Sequence, residues 1–249
     1  MAKKAPIDDC KLCLKTAKLQ ESHIVPKFFL RASGLLGSRF SIHCRTNPAV
    51  SEHFKQDGIK EYLLCQSCEQ QLQKWESYAR HQFYGPSNPF KKVREPGFVW
   101  SGLDYSKMKL FTTSILWRMS VSAHNFYGHV QLGDKHEKRI REMLLTSNPR
   151  EPWRYGVGLS YLNYGTIPFP QVFSQPERYE YLRRTGYRFI LAGFAIFADV
   201  ASHAPVHKDQ LAISLQANGN WSIPALQALS IPFIKEEADE IRKVLGTEP

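Results

Sequence analysis

The chain has 249 residues and lacks long apolar runs, internal repeats and low-complexity segments. Its most apolar stretch, residues 189–200, is shorter than the roughly 20 residues that a membrane-spanning helix needs, and it contains Asp199. Residues 1–4 lack the apolar core of a secretory signal. We therefore expect no membrane association and a cytoplasmic location.

Cysteine is also scarce, yet four of the five cysteines form two pairs with the same spacing. Cys10 and Cys13 make one C-x2-C pair, and Cys65 and Cys68 make the other. Two thiolates spaced in this way reach one metal ion from a tight turn, and two such turns complete a tetrahedral site. We therefore expect a structural Zn²⁺ on these four residues. This spacing, without a secretory signal, also favours a reducing compartment.

Acidic residues are in the minority, with 23 Asp and Glu against 33 Lys and Arg, which gives a net charge of +10. Such an excess attracts polyanions, most commonly nucleic acid. The basic residues are dispersed, so the charge favours a nucleic-acid partner without forming a recognisable motif. Because 43% of the residues are hydrophobic, the chain can form a packed core, and global disorder is excluded.

A stretch rich in proline and glycine, residues 85–97, is the strongest boundary signal in the chain. It separates a predicted N-terminal module, residues 1–90, from a basic α+β region of helices and antiparallel strands, residues 91–249. On a predicted helix of the second region, Trp117 and Arg118 are consistent with a core residue beside a buried charge. The predicted fold class is therefore α+β.

Hydrophobic periodicity predicts a helix after the second cysteine pair, from residue 67 to about 83. Leu72, Trp75, Ala79 and Phe83 fall on one stripe of this helix. In the second region the pattern predicts two helices, then segments rich in β-branched and aromatic residues, and then a last helix. The predicted helices there cover about 105–126, 134–145 and 232–245, and the strand-like segments cover 156–164, 167–173 and 187–200.

Two further motifs accompany the cysteine pairs. A Ser-His-Ile-Val-Pro segment occupies residues 22–26, and the second pair lies in Leu-Leu-Cys-Gln-Ser-Cys-Glu, residues 63–69. This order resembles the zinc-stapled branch of the HNH family, the ββα-metal nucleases, in which two strands and a helix hold a divalent metal. It is also similar to a group of bacterial HNH-like proteins with a Gln-Asp-Gly-Ile-Lys-Glu box, here residues 56–61. The resemblance covers about residues 10–83 and implies a zinc-stapled ββα-metal, treble-clef-like module.

The resemblance implies a metal-dependent nuclease that hydrolyses phosphodiester bonds of nucleic acid, with DNA favoured over RNA. His23 would be the general base, because imidazole exchanges protons near working pH. The family's Asp before this histidine is Ser22 here, and its His after the last cysteine is Glu69. Glu69 and Asp57 would complete the catalytic set by offering oxygen ligands to Mg²⁺ or Mn²⁺, which prefer carboxylates.

Three arginines, Arg31, Arg39 and Arg45, are candidates to bind the nucleic acid, because a guanidinium holds a phosphate through two parallel hydrogen bonds. Two alternative sources of an oxygen ligand stay open. Glu76 lies seven residues after Glu69 on the predicted helix, and Asn47 is an alternative to Asp57.

Other function classes also stay open. Because Ser22 and Glu69 replace the family's metal ligands, the chain can instead be a catalytically inactive zinc-binding module for nucleic acid or protein. The resemblance also permits an effector of a bacterial antiviral defence or toxin system, with a protein partner on residues 91–249. Each site residue has a structural alternative: His23 can be a buried histidine bonded to backbone, and Glu69 can simply favour a helix N-terminus.

Overall fold

The structure is a computed structural model that describes residues 5–32, 58–91, 96–164, 167–168, 173–181, 183–205, 211–232 and 235. Within these ranges the chain forms four α-helices and two β-sheets, which contain both antiparallel and parallel strand pairs. The mixed α+β class predicted from the sequence is thereby confirmed. No helix in the described part of the chain has the length and apolarity needed to cross a lipid bilayer.

The first sheet is small and antiparallel, with its strands in chain order. Its strands are β1 (Ile7–Asp9), β2 (Thr16–His23) and β3 (Lys60–Cys65). A β-bulge between Gln20 and Glu21 changes the register of β2 against β3. Strict alternation from the buried Leu19 would turn Glu21 and His23 inward, but the bulge turns Ser22 inward instead. The bulge therefore decides which side chain of the Ser-His motif is buried.

Helix α2 (Gln66–Tyr84) packs beside this sheet, and the short helix α1 (Lys27–Ala32) follows β2 and packs its Phe29 against Phe83 of α2. The buried residues of α2 include the whole predicted stripe of Leu72, Trp75, Ala79 and Phe83, which confirms the predicted helix. The helix ends at Gly85, whose amide donates to the carbonyl of His81 at 2.8 Å. A Cβ atom at Gly85 would lie 2.2 Å from that carbonyl oxygen, so a glycine is required at this position.

The second part contains two long helices and a seven-stranded sheet. The helices are α3 (Tyr105–Val121) and α4 (Asp134–Leu145). The strands are β4 (Gly97–Trp100), β5 (Val157–Tyr164), β6 (Ile167–Pro168), β7 (Glu177–Tyr181), β8 (Arg184–Leu191), β9 (Phe194–Asp199) and β10 (Trp221–Gln227). The strand order is β4-β10-β5-β9-β8-β7, with β6 paired to β5, and the described pairs are antiparallel except for β10 with β5.

Several predicted boundaries differ from the structure. The helix predicted over 105–126 ends at Val121, where Ser122 takes an extended conformation. The predicted strand over 187–200 is a hairpin, because Ala192 and Gly193 both adopt positive φ between β8 and β9. The helix predicted over 134–145 is confirmed. The helix predicted over 232–245 lies almost wholly outside the described residues.

The aromatic core continues across residue 90, where the sequence suggests a domain boundary. The ring of Phe83 on α2 packs against Phe29 of α1, Phe111 of α3 and Phe194 of β9, with ring centroids 5.7, 6.4 and 4.9 Å apart. Phe90, next to the boundary, stacks on Phe83 at 5.8 Å. Both predicted regions therefore contribute to one continuous cluster of buried apolar side chains.

A buried lysine on α3 gives a first test of the fold. The ammonium of Lys109 donates to the Tyr105 hydroxyl at 2.9 Å and to the carbonyls of Glu151 and Arg154 at 2.5 and 2.9 Å. Burial lowers the pKa of Lys109 to about 7, but three acceptors match the three donors of the charged form. Lys109→Met would remove the donor to the Glu151 and Arg154 carbonyls at this partly buried position, at about 1–3 kcal/mol per group.

We therefore expect Lys109→Met to lower the free energy of unfolding by about 3 kcal/mol in urea denaturation. The matched control is Lys138→Met on the exposed face of α4, which should change it by less than about 0.5 kcal/mol. Equal stability of the two variants would show that the Lys109 contacts contribute nothing.

Candidate metal centre and the adjoining acidic cluster

Two turns bring the cysteine pairs together. Cys10 and Cys13 lie in the turn between β1 and β2, where the Leu14 amide donates to the Cys10 carbonyl at 2.8 Å. Leu14 adopts a positive φ of 59°, which closes the turn. Cys65 ends β3, and Cys68 lies in the first turn of α2. The metal-type spacing therefore reflects one hairpin turn and one strand-to-helix junction.

The four sulfur atoms form a compact group. All four Sγ atoms lie within 4.8 Å of one another, and those of Cys13 and Cys65 are 3.8 Å apart. All four residues are free thiols. A tetrahedral ion with zinc–sulfur bonds of about 2.3 Å would separate its sulfurs by about 3.8 Å, close to this spacing. Among the described residues, this is the one cluster of three or more side chains that could hold a metal ion, such as a structural zinc.

The thiols differ in how readily they ionise. Burial, together with neighbouring thiols, raises the pKa of Cys68, and burial also raises that of Cys13. Burial acts in the same direction on Cys65, but hydrogen bonds from Ser67 and Cys68 outweigh it and lower its pKa to about 6. Thiolates packed this closely repel one another, so a bound cation would stabilise the ionised form of the whole group.

The Ser-His motif lies at the end of β2. His23 is half-buried, pairs across the sheet with Lys60, and has its ring Nε2 shielded from solvent. Ser22 is buried, and its hydroxyl donates to the carboxylate of Glu69 on α2. Burial raises the pKa of Glu69, whereas this hydrogen bond and the charge of Arg118 act against that rise. The strand and helix thus bring together positions 47 residues apart in sequence.

An arginine from the second region completes this neighbourhood. Arg118 of α3 is 2% exposed, and its Nη1 lies 2.7 Å from the backbone oxygen of His23. The same nitrogen lies 2.8 Å from Oε1 of Glu76 on α2. The sequence indicated a buried charge at this position, but it held no signal for either partner. We use the term acidic cluster for Ser22, His23, Glu69, Glu76 and Arg118.

The structure describes no contact between the acidic cluster and the other predicted site residues. Arg31 is exposed in the last turn of α1. Asp57, Arg39, Arg45 and the alternative Asn47 lie outside the described residues. Their predicted roles stay predictions.

The acidic cluster is a poor fit for the Mg²⁺ or Mn²⁺ expected from the sequence. These ions need several oxygen ligands in an open arrangement. Of the described carboxylates, that of Glu69 is bonded to Ser22 and that of Glu76 is paired with Arg118. The guanidinium of Arg118 therefore already pairs with a carboxylate that a Mg²⁺ or Mn²⁺ ion would need as a ligand.

A separate cavity of about 300 Å³ opens on the seven-stranded sheet. Its wall includes Asp199, which accepts a hydrogen bond from Tyr179 at 2.6 Å and pairs with Arg184 at 2.9 Å. Arg184 also donates to the carbonyls of His203 and Trp153, so each of its three nitrogens has an acceptor. Neither the cavity nor this polar cluster was predicted from the sequence.

No protein-family model matches the chain, and no curated protein or solved structure is significantly similar to it. The function must therefore be inferred from the chemistry of the chain's own residues.

Proposed function

We propose that the chain is an HNH-like nuclease that hydrolyses phosphodiester bonds of nucleic acid, DNA in preference to RNA. The observation that supports this most is the contact between Ser22 and Glu69 beside His23. These two residues stand where the resembled family has its metal-binding Asp and His. Their convergence at the end of β2 and the start of α2 supports the proposal, because the resemblance implies that these two positions meet in a ββα-metal, treble-clef-like module.

In this proposal a structural Zn²⁺ on Cys10, Cys13, Cys65 and Cys68 holds the module together. The four thiols fit such an ion in number, type and spacing. The ion would join the β1–β2 turn to the start of α2, and the same two segments lead to the Ser-His motif and to Glu69. A metal on the four thiols would therefore fix the histidine relative to the carboxylate.

The chain's own residues suit three tasks of the reaction. The imidazole of His23 would accept the proton of the attacking water. Arg118 bonds the backbone oxygen of His23 and pairs with Glu76, and it would thereby hold the strand that carries the imidazole in place. The net charge of +10 would draw the polyanionic substrate to the protein.

The proposal is tested by nicking of supercoiled plasmid with the full-length protein in Mg²⁺, in Mn²⁺ and in EDTA. We expect His23→Ala to lower the rate about 10²- to 10⁴-fold, since that is the usual contribution of a positioned general base. His81→Ala is the matched control, because His81 is exposed near the end of α2. Wild-type cleavage by His23→Ala would remove His23 from the mechanism.

A second candidate is a zinc-binding module that binds nucleic acid or protein without cleaving it. It is favoured by the shielded Nε2 of His23 and by the internal partners of Glu69 and Glu76. This candidate predicts salt-dependent binding of a DNA duplex with no cleavage under any of the three metal conditions. A role as a defence or toxin effector, with a protein partner on residues 91–249, stays a prediction beside both candidates.

A further inference from the structure

The guanidinium of Arg118 occupies a position lined by oxygen atoms. Its Nη1 lies 2.7 Å from the carbonyl oxygen of His23 and 2.8 Å from Oε1 of Glu76. Its Nε lies 3.4 Å from the carbonyl of Ser114, one turn earlier on α3. A backbone carbonyl and a carboxylate are also the ligand types that bind hard divalent cations. One nitrogen of the arginine therefore stands where a small cation would find two ligands.

The charges around this position require a cation. Glu76 is in direct ionic contact with Arg118, and Glu69 is close enough for the arginine to favour its ionised form. Arg118 is 2% exposed and Glu76 is half-buried, so removing the arginine would leave a partly desolvated carboxylate without its counter-ion. Among the described residues, Nη2 of Arg118 has no hydrogen-bond partner, so the guanidinium is held through Nη1 and Nε.

We propose that Arg118 is the built-in cation of the acidic cluster. Its guanidinium fills the place between the His23 carbonyl and the Glu76 carboxylate that a divalent ion would otherwise take. The wild-type protein therefore binds no Mg²⁺ or Mn²⁺ there, and loss of the arginine opens a divalent site. This inference rests on the contacts of Arg118 and holds whether or not the protein cleaves nucleic acid.

The test is titration of the zinc-loaded full-length protein with Mn²⁺, followed by electron paramagnetic resonance, which separates bound from free Mn²⁺. We expect wild type to bind no Mn²⁺ through Glu76 up to millimolar concentrations. Arg118→Gln should gain one site per chain, and the double variant with Glu76→Gln should lose it again. Arg118→Lys keeps a cation at the position and should resemble wild type, which a purely structural role of the arginine would not predict.

Lys109→Met is the matched control for loss of a buried cation from the same helix. Lys109 is as buried as Arg118, but the three contacts of its ammonium are two backbone carbonyls and a hydroxyl rather than a carboxylate. This variant should gain no Mn²⁺ site. A gain equal to that of Arg118→Gln would mean that any lost buried cation creates weak metal binding, and it would overturn the inference.

Two other results would also overturn it. The first is Mn²⁺ binding to wild type that Glu76→Gln abolishes. The second is a folded Arg118→Gln variant, judged by its circular dichroism, that gains no site. If Arg118→Gln does not fold, the wild-type and Glu76→Gln titrations decide alone: binding that depends on Glu76 refutes the built-in cation, and its absence supports it. Because metal binding is read without an activity assay, failure here is distinguishable from an absence of nuclease activity.

Discussion

Replacing Cys68 with serine is expected to abolish metal binding by the four thiols and to unfold the small sheet together with the start of α2. Cys68 is buried in the first turn of α2, within 4.8 Å of the other three thiols. Structural zinc sites contribute an apparent binding free energy of about 10–16 kcal/mol at neutral pH, which rivals the whole stability of a typical domain. The measurement is zinc content by elemental analysis, with hydrogen exchange of β2, β3 and α2.

The matched control for this variant is Cys44→Ser. Cys44 is the fifth cysteine and belongs to neither C-x2-C pair. This substitution should leave one zinc ion per chain and wild-type protection of β2, β3 and α2. A Cys68→Ser protein that kept its zinc and its protected amides would show that the sulfur cluster is not what holds this part of the chain.

Replacing Phe83 with alanine is expected to lower the free energy of unfolding by about 3–5 kcal/mol, the usual cost of truncating a buried phenylalanine. Phe83 is buried, and its ring contacts α1, α3 and β9. The loss should therefore reach both regions that the sequence separates near residue 90. Urea denaturation gives the magnitude, and hydrogen exchange of β2–β3 and β5–β9 shows where protection is lost.

The control for Phe83→Ala is Tyr181→Ala, because Tyr181 is 57% exposed at the end of β7. This change should alter stability by less than about 0.5 kcal/mol. A different pattern would refute the shared core: loss of protection confined to residues 5–84, with β5–β9 as protected as in wild type. Such a result would show two regions that unfold independently.

Elements with a strong local signal were predictable from the sequence. The stripe of α2 repeats every three to four residues, so its buried face follows from periodicity alone. The cysteine pairs were recognisable because two equal spacings indicate two turns around one ion. That His23 and Glu69 belong to one site was suggested only by a resemblance, and the contact between Ser22 and Glu69, 47 residues apart, was not itself predicted.

Features that depend on distant pairing were not predictable in the same way. The bulge in β2 that buries Ser22 arises from its register with β3, which no pattern within β2 encodes. Strand β10 pairs in parallel with β5 although about 60 residues lie between them, and parallel pairing has no turn signal. The partners of Arg118 come from two other elements, so its sequence neighbourhood indicated burial and nothing more.

We propose that one metal ion bound by four sulfurs fixes the Ser-His strand against the helix that carries Glu69. X-ray absorption at the zinc edge of the purified full-length protein identifies the ion and its neighbours. We expect one zinc per chain with four sulfur neighbours at about 2.3 Å. A folded protein without zinc, or a zinc shell with nitrogen or oxygen in place of any of these sulfurs, would contradict it.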